Sequence, residues 1–519
     1  MKISKYLLIL LTLSMGCSKN FLDAPLQGQS TPQNDPNVAT NLVTGAYSSL
    51  IYTDAGGPFG GFDTHGFAFI SATNIMSDDA DKGSFAGDQQ STAGQFDDFS
   101  YTSGNSFVNS VWSGHYAAIS RVNNSINAIA VAPIDSATAR RLRGEVLFIR
   151  AYYYFNLVRF FGGVPIVTVI PDGPQAANTN PAFVTRASAQ DVYNTEIIPD
   201  LQYSIANCPL RGNTPAGRIT KGAAQTLLAK VYMYLQNWQA VKDLTDSVMT
   251  EGYALAPDYR TLWRTVGDNN IESIFEIETG SYGNTDAGIP LYSECQGPRA
   301  FAGGWNNPGF NYPTGDLGWG FGTPSQTLIN SYEPNDTIRK NATIIALNPD
   351  PNAPYGAILW DGFVIPSQSK VQNSTYNYKA YHSERNDNIE PYFGNRDRKE
   401  KNVHLLRFAE VLLMNAEAAN ELNMTGTAQA DLNLVRSRAG LPNTVAGDQT
   451  SLRNAIWQER HVELALEHDR FFDLVRQGRA AQVMIAAGKN FTPGKNEILP
   501  IPGVQIALSG GKLTQNPGY

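Results

Sequence analysis

Residues 143–168 read RGEVLFIRAYYYFNLVRFFGGVPIVT, and this stretch decides the fold class. Around it, apolar side chains recur at steps of three and four residues, which is the spacing of one buried stripe on an α-helix. The stripe consists of Leu142, Val146, Ile149, Tyr153 and Leu157. Gly162, Gly163 and Pro165 then end the helix. We therefore predict a long amphipathic helix over 136–160 and a mostly α-helical protein.

Helical periodicity recurs elsewhere in the chain, in some places as pairs of helices. The segments are 38–52, 106–130, 220–250, 404–438 and 450–477. In the two pairs, 220–250 and 404–438, small alanines between large apolar residues let neighbouring helices approach closely, as in tetratricopeptide repeats. The stripe of the 404–438 pair begins at Leu405, and a capping segment at Asp448 precedes the last helix.

Residues 279–400 have a different composition, with little helical period and many Gly, Pro, Asn, Tyr and Trp residues. An insertion of this length without structure is uncommon unless it is functional. We predict loops and short strands laid over a helical scaffold. The chain then divides into a signal peptide (1–16), a tether (17–36), an N-terminal helical region (37–278), the variable section (279–400) and a C-terminal helical region (401–519).

The overall charge limits the ligand class. The 519 residues carry a formal net charge of −8, with a pI near 5.4. This argues against nucleic acid, because neutralising phosphates requires clustered lysines and arginines. Charged residues make up 17 % of the chain, against about 25 % in an average soluble protein. A surface poor in charge suits a neutral, hydroxyl-rich ligand better than a charged one.

The N-terminus has the pattern of an export signal. Lys2 and Lys5 precede a short apolar stretch at 6–13, which is far shorter than the roughly 20 residues that a membrane-spanning helix needs. Cys17 directly follows the small residue Gly16, as in a bacterial lipoprotein cleavage site. Lipidation of Cys17 would anchor the mature chain to a membrane. The alternative is an ordinary secretory signal with an incidental cysteine.

Several segments together resemble the SusD/RagB family of outer-membrane nutrient-binding lipoproteins of the Bacteroidetes. They are CSKNFLDAPLQG (17–28), the stretch at 143–168, LLRFAEVLLMNAEAANELN (405–423), LNLVRSRAGLP (432–442), AIWQERHVELALEHDRFFDLVRQGRA (455–480) and EILPIPGVQIALSGGKLTQNPGY (497–519). The resemblance implies a scaffold of tetratricopeptide-like helix pairs (a SusD-like α/α fold) with long ligand-binding loops and a few short strands. It also implies a lipid-anchored, surface-exposed protein of the outer membrane that is not an enzyme. Such a protein caps a SusC-like TonB-dependent transporter and delivers oligosaccharides or other nutrients to it.

The aromatic loop at 301–321 is the strongest candidate for ligand contact. A sugar ring has an apolar face that stacks on exposed aromatic rings and a rim of hydroxyls that bonds to amide and charged groups. The loop and its flanks supply both kinds of side chain, and the resemblance adds residues that precede the 106–130 helix. The predicted ligand-binding residues are Trp305, Trp319, Tyr312, Asn306, Asn307, Tyr282, Tyr292, Arg299, Asp81, Phe85 and Asn105. The alternative for any one ring is a small core formed by the loop's own aromatics.

Charged residues also cluster between 459 and 476, where Glu459, Glu463 and Glu467 share one helical face. Paired carboxylates are what glycosidases require. Here arginines are interleaved among them, so we predict a structural ion-pair network that links helices. Glu145 and Arg150 receive the same interpretation, together with Arg159.

Metal and redox chemistry have weak signals. Asp78, Asp79 and Asp81 resemble a calcium loop only in part, because the full spacing is absent. We predict no cofactor, and a solvated acidic loop or a bound calcium both remain open for this segment. Apart from Cys17, the cysteines are Cys208 and Cys295, which form either one bridge or two unpaired thiols.

The sequence as a whole predicts a cell-surface glycan-binding lipoprotein. One alternative is a peptide or other nutrient binder of the same family. A second is a surface glycoside hydrolase, for which Asp316 with Glu294 is the one carboxylate pair we can suggest. A third is a purely structural surface protein, which would leave the aromatic loops unexplained.

Overall fold

The computed structural model describes residues 30–51, 62–171, 173, 180–279, 292–299, 318–381 and 402–519. Helices dominate the described residues, as predicted. In the first half they are α1 (Pro36–Ser48), α2 (Phe67–Ile70), α3 (Ala93–Asp97), α4 (Ser106–Val131), α5 (Ser136–Phe161), α6 (Pro181–Val184), α7 (Ala189–Val192), α8 (Ile198–Asn207), α9 (Lys221–Tyr234) and α10 (Trp238–Met249). In the second half they are α11 (Tyr292–Gln296), α12 (Gln326–Ser331), α13 (Thr337–Thr343), α14 (Phe408–Glu421), α15 (Thr425–Arg438), α16 (Gln449–Glu463), α17 (Arg470–Arg476), α18 (Ala480–Ala486) and α19 (Gly503–Leu508).

Helix α5 contains the stripe that the sequence predicts, and all five stripe residues are buried. It begins after Asp135, whose carboxylate accepts hydrogen bonds from the first free backbone N–H groups. It ends at Gly162, where φ is 72°. Two of its buried tyrosines find polar partners: the Tyr153 hydroxyl lies 2.8 Å from Ser49 Oγ, and Tyr154 Oη accepts from Val167 N at 2.7 Å. These bonds satisfy hydroxyls that burial would otherwise make costly.

The helices pack as a continuous series of neighbours, α1–α4–α5–α8–α9–α10–α14–α15, with α16 also against α14. The two helix pairs predicted separately therefore meet, since α10 lies against α14. Asn415 fixes this junction by donating from Nδ2 to Thr245 Oγ1 at 3.0 Å and to Asp246 Oδ1 at 2.7 Å. This is the tetratricopeptide-like scaffold expected from the alanine spacing.

The strands form four two-stranded antiparallel sheets among the described residues. They are β1 (Ala80–Gly83) with β3 (Phe321–Pro324), β2 (Ser273–Ile277) with β8 (Val403–Arg407), β4 (Ile344–Ala346) with β7 (Thr375–Asn377), and β5 (Ala357–Ile358) with β6 (Val364–Ile365). Leu405 lies in β8, so the prediction that it belongs to a helix was wrong. Pairing with the distant β2 overrides the local helical period there.

The helix predicted over 450–477 is broken into α16 and α17. Leu466 and His468 between them have φ of 64° and 74°, which a continuing helix does not allow. Asn74 holds this break, because its Nδ2 donates to the Leu466 carbonyl at 3.1 Å and its Oδ1 accepts from His468 N at 3.1 Å. A partner almost 400 positions away thus ends the helix. The predicted cap at Asp448 is confirmed as a capping box with Ser451.

The described part of the variable section carries a small second core beside the main one. This satellite core consists of Ile345, Leu347, Leu359, Phe363, Ile365, Val371, Tyr376, Tyr378 and Tyr381. The described residues of this section form short strands and loops, as predicted, and also the short helices α11, α12 and α13, which the sequence did not predict. Within the described residues, no helix combines the length and hydrophobicity needed to cross a membrane.

Candidate functional site

Strands β1 and β3 bring two distant loops to one edge of the scaffold. In the antiparallel pair, Gly83 lies opposite Phe321. Gly83 has φ of 70°, and a Cβ there would lie 2.3 Å from the Gly320 carbonyl oxygen, so only glycine fits. The Ser84 N–H donates to that same oxygen at 2.7 Å. The loop after β1 is therefore held against the residues that precede β3.

Arg299 joins the segments that meet at this edge. Its Nη1 donates to Ser84 Oγ at 2.7 Å and to Asp88 Oδ2 at 2.6 Å. The same nitrogen lies 3.5 Å from the Trp319 carbonyl oxygen. The guanidinium carbon lies 4.5 Å from the centre of the Phe85 ring, which is cation–π geometry. Arg299 thus fixes the positions of Phe85 and Trp319 relative to one another.

Trp319 is half-buried and is supported from within the protein. Its backbone N–H donates to the Glu294 carbonyl at 2.8 Å, and the next residue, Gly320, donates to the Gly297 carbonyl at 2.9 Å. The indole makes an edge contact with the Phe67 ring, with centroids 6.3 Å apart and planes at 76°. A partly accessible ring on a fixed backbone is suited to stacking against a ligand with little loss of conformational entropy.

Lys82 supports the loop that follows β1 from inside the protein. Its Nζ donates to the carbonyl oxygens of Phe85 at 2.8 Å and Asp88 at 2.9 Å. Only 7 % of the residue is exposed. Burial lowers the pKa of this ammonium group, although the nearby carboxylates of Asp88 and Asp97 act in the opposite direction. Lys82 therefore holds the loop in place through hydrogen bonds to its backbone carbonyls.

We call Asp81, Ser84, Phe85, Asp88, Arg299 and Trp319 the candidate surface. Asp81, Phe85, Arg299 and Trp319 were predicted from the sequence. Arg299 brings Phe85 and Trp319 together, and Asp81 lies nearby in β1, where its charged neighbours are Asp97 and Lys489. Burial of the Asp81 carboxyl group, and then the negative charge of Asp97, raise its pKa. Ser84 is 6 % exposed and holds Arg299 and Asp88 from within. The surface therefore offers aromatic rings beside carboxylate and guanidinium groups, which suit the C–H face and the hydroxyl rim of a sugar ring.

Two other predicted ligand-binding residues are taken up by the fold. Tyr292 is 8 % exposed, and its ring lies 5.6 Å from that of His468. Asn105 is 4 % exposed and caps α4, accepting from Phe107 N at 2.9 Å while its Nδ2 donates to Gln95 Oε1 at 2.8 Å. Because burial and these contacts occupy both side chains, we leave them out of the candidate surface.

The remaining predicted residues lie outside the described part of the chain, and their roles stay predictions. They are Tyr282, Trp305, Asn306, Asn307 and Tyr312, together with the lipidation site Cys17 and the signal peptide. Asp316, suggested as half of a catalytic pair, also lies there. Its suggested partner Glu294 is 4 % exposed.

Sequence reasoning missed Ser84 and Asp88, which bind Arg299. Both residues lie between Asp81 and the 106–130 helix, in the section that the family resemblance marked for ligand contact. Only the tertiary structure shows that Asp88 binds Arg299. Outside the candidate surface, Trp360 is 44 % exposed at the turn between β5 and β6. The Arg264 guanidinium carbon lies 5.0 Å from the centre of the Trp360 ring.

The acidic segment at 78–81 is not a solvated loop at its start. Asp78 and Asp79 are buried. Arg470 binds both oxygens of Asp78, at 2.7 and 2.8 Å, and His461 Nε2 lies 2.6 Å from Asp79 Oδ1. Burial would raise the pKa of Asp78, but the Arg470 guanidinium lowers it to about 2. Ligand atoms of Asp78, Asp79 and His461 lie within 4.8 Å of one another, yet a guanidinium already compensates Asp78. The expectation of no cofactor stays a prediction.

The predicted structural ion-pair network is confirmed. Glu463 binds Arg407, Arg438 and Arg339, and all four side chains are at most 4 % exposed. The carboxylates come from a helix and the arginines from three other elements, so the network ties α13, β8, α15 and α16 together. Further pairs of the same kind are Arg150–Asp200, Arg159–Asp469, Arg460–Asp473 and Arg476–Glu417. Cys208 and Cys295 are both buried and are not joined in a disulfide, and burial raises the pKa of Cys208 to about 12.

Two family profiles match most of the chain. The profile described as "SusD family" matches residues 271–519, and the one described as "Starch-binding associating with outer membrane" matches 69–233. The chain belongs to the SusD family. Both sides of the candidate surface lie within the matched ranges, since Asp88 falls in the first-half match and Arg299 in the second-half match.

Relatives and solved structures of the SusD family agree with this placement. The chain is 26 % identical to SusD-like protein P2 of Formosa agariphila over 457 residues, which cover 83 % of this chain and 85 % of that relative. The structure of a laminarin binding SusD-like protein matches with a TM-score of 0.76 and 28 % identity, covering 93 % of this chain and 99 % of that one. Surface glycan-binding protein A from Bacteroides thetaiotaomicron, in complex with laminarihexaose, matches with a TM-score of 0.74, 23 % identity and coverage of 92 % and 99 %. At 23 % identity, the similarity to the Bacteroides thetaiotaomicron protein shows that the two chains have the same fold.

Proposed function

We propose that this SusD-family protein is a lipoprotein of the outer-membrane surface. In this role it captures oligosaccharides and delivers them to a SusC-like TonB-dependent transporter. The observation that carries the proposal is the convergence of Phe85, Arg299 and Trp319 at one edge of the scaffold. All three residues were expected at the ligand site, and Phe85 lies more than 200 positions before Arg299 and Trp319 in the chain.

The chemistry of the candidate surface favours a glycan. Phe85 and Trp319 supply aromatic rings for the C–H face of a sugar, and the partly exposed side chains of Asp88 and Arg299 supply partners for its hydroxyls. By its sequence, the segment 301–317 adds Trp305 and Tyr312, together with the asparagines Asn306, Asn307 and Asn311. The similarity to a protein named as laminarin binding supports the same ligand class. We therefore choose laminarin as the first ligand to test.

Titration calorimetry against laminarin, starch and xylan tests the ligand class, with a peptide library as the competing ligand. We expect binding to at least one glycan, and loss of most of that binding in the Trp305→Ala, Trp319→Ala double variant. Trp360→Ala is the matched control, because it removes an exposed tryptophan outside the candidate surface. If peptides bind and no glycan does, the proposed ligand changes from a glycan to a peptide. Unchanged glycan affinity in the double variant would refute the site.

In this proposal, the protein binds its glycan and catalyses no reaction on it. The carboxylates at 459–476, which have the helical spacing of a shared face, are committed to arginines inside the protein, as the contacts of Glu463 illustrate. Incubation of the purified protein with each polysaccharide should release no reducing ends. A steady release that disappears in Glu294→Gln would instead identify a hydrolase.

The anchor and the partner need separate experiments. Cys17→Ser should move the protein from the membrane fraction to the soluble fraction of the producing cell, because the acyl chains would be lost. Protease added to intact cells should degrade the wild-type protein if it faces outwards. Affinity purification of the tagged wild-type protein from solubilised membranes should recover a TonB-dependent transporter, and its absence would contradict delivery by direct contact.

A further inference from the structure

The segment that carries Arg299 and Trp319 contains a single cationic residue. Between positions 280 and 320, Arg299 is the only lysine, arginine or histidine, whereas Asp286, Glu294 and Asp316 are acidic. A site that recognises carboxylate or sulfate groups on a ligand usually relies on arginine, because the guanidinium offers a planar set of donors to such groups. The ability of this region to bind an anionic glycan therefore depends on what Arg299 does.

Arg299 is already paired with a carboxylate of its own chain. Its Nη1 lies 2.6 Å from Asp88 Oδ2, and Ser84 Oγ donates to the same Asp88 oxygen at 3.0 Å. The nearby Lys82 is turned inwards on two backbone carbonyls. The charge that could attract an anion is thus compensated locally by Asp88.

We propose that Asp88 is a specificity-determining residue that restricts the candidate surface to neutral glycans. This inference rests on the proposed glycan-binding function and names the substrate class of the same site. A sulfate or carboxylate on the ligand would have to approach Arg299 beside the Asp88 carboxylate, and like charges at short range are costly. A hydroxyl group meets no such repulsion and can bond to either partner.

The pair is accessible enough for a substitution to change recognition without changing the fold. The side chains of Arg299 and Asp88 are 28 % and 35 % exposed, and exposed ion pairs contribute little to stability. Asp88→Asn keeps the size of the side chain and its ability to accept from Ser84, and it removes the negative charge. Asp258→Asn is the matched control, because it removes one negative charge from the exposed Arg260–Asp258 pair outside the candidate surface.

The experiment compares each neutral glycan with its chemically sulfated form, so that the backbone is constant and only the charge differs. Laminarin, starch and xylan are titrated in both forms into the wild type, Asp88→Asn and Asp258→Asn, at low and high salt. We expect the wild type to prefer a neutral form by at least about tenfold. Asp88→Asn should gain about three- to tenfold affinity for the sulfated form, and the gain should shrink at high salt, because it comes from a partly exposed charge. Asp258→Asn should behave as the wild type.

Each outcome decides between the two proposals. If the wild type binds a neutral glycan and Asp88→Asn gains nothing for the sulfated form, the role of Asp88 is refuted and the glycan-binding function stands. Equal wild-type affinity for both forms also refutes it. If the wild type binds neither form but Asp88→Asn acquires salt-dependent binding of the sulfated glycan, charge masking by Asp88 stands and the proposed function fails. If no variant binds either form, both fail.

Discussion

Two arginine–carboxylate clusters of this protein differ in the work that they do. The buried network around Glu463 contains Arg407 and Arg438 with side chains that are 2 % and 4 % exposed. The pair of Arg299 with Asp88 is 28 % and 35 % exposed. Both have short, direct contacts between charged groups, so distance alone does not separate them. Their exposure to water does.

The comparison explains why loss of a partner among the charged residues at 459–476 should destabilise the protein, whereas the exposed pair can change partners at small cost. A buried ion has lost its hydration and depends on every partner that remains, so removing one partner is severe. An exposed ion is still solvated, and its partner can be exchanged at small cost. The same two residue types therefore hold the fold together in one region and, in our proposal, select the ligand in the other.

The largest expected effect is at the buried end of the comparison. Glu463→Gln leaves the Arg407, Arg438 and Arg339 guanidinium groups without one of their carboxylates, and we expect the free energy of unfolding to fall by about 3–5 kcal/mol. Chemical denaturation followed by circular dichroism measures this change. Glu421→Gln is the control, because its partner Arg453 is 26 % exposed. Equal effects of the two substitutions would show that burial does not separate the clusters.

Acid should weaken the buried regions in two steps. Burial lowers the pKa of His115 and of His468 to about 4. A neutral histidine contributes full stability above its unfolded pKa near 6.5, and the contribution is lost as pH falls towards 4. The loss approaches about 3 kcal/mol for each histidine. Burial would raise the pKa of Glu463, but Arg438 and Arg407 hold it well below its usual value. Its contribution is therefore present above pH 4.5 and is lost below that.

Denaturation curves between pH 7 and pH 4 test the first step, in which the free energy of unfolding should fall steadily. His115→Phe keeps an aromatic ring against its neighbours and should make the pH dependence shallower in this window. Glu196 and Asp431, whose pKa values burial raises to about 7 and about 6, act in the opposite direction. The difference between the wild-type and His115→Phe curves therefore carries the test, and parallel curves from pH 6.5 to pH 4 would contradict a neutral buried His115.

A smaller effect is expected at the candidate surface, and on binding only. Phe85→Ala should weaken the affinity for the preferred glycan by roughly tenfold, because it removes one stacking ring and the platform for Arg299. The melting temperature should change little. Calorimetric titration and thermal unfolding of Phe85→Ala and of the control Trp360→Ala separate these effects. An affinity equal to that of the wild type would remove Phe85 from the surface.

The smallest expected effect is on the stability of the exposed pair. Asp88→Asn should lower the free energy of unfolding by less than about 1 kcal/mol, because both partners remain solvated. The same denaturation assay used for Glu463→Gln measures it. A loss as large as that of Glu463→Gln would make the exposed pair a structural element and remove the contrast between the clusters.

Local patterns predicted much of the scaffold. The stripe from Leu142 to Leu157 predicted α5 because its packing needs only a period of 3.6 residues, and Asp448 marked a helix start because a cap is a local device. The prediction failed at Leu405 and between α16 and α17, where the partners are distant: β2 in the first case, Asn74 and Asp79 in the second. The local sequence pattern of a segment does not reveal hydrogen bonds to residues that are distant along the chain.

The candidate surface shows the same division. The residue types that suit a sugar could be found from composition, and four of the predicted residues lie together. Composition did not reveal that Tyr292 and Asn105 are buried or that Asp88 binds Arg299, because burial and ion pairing depend on how segments from different parts of the chain pack.

The sequence by itself determined the helical scaffold, the family resemblance and the aromatic, glycine- and asparagine-rich character of the variable section. These follow from local spacing and from residue types, which are properties of the chain. Only the tertiary structure decided which arginines are buried among carboxylates and which one lies at the surface beside Phe85 and Asp88. That choice depends on exposure to water, and exposure exists only once distant segments have packed together.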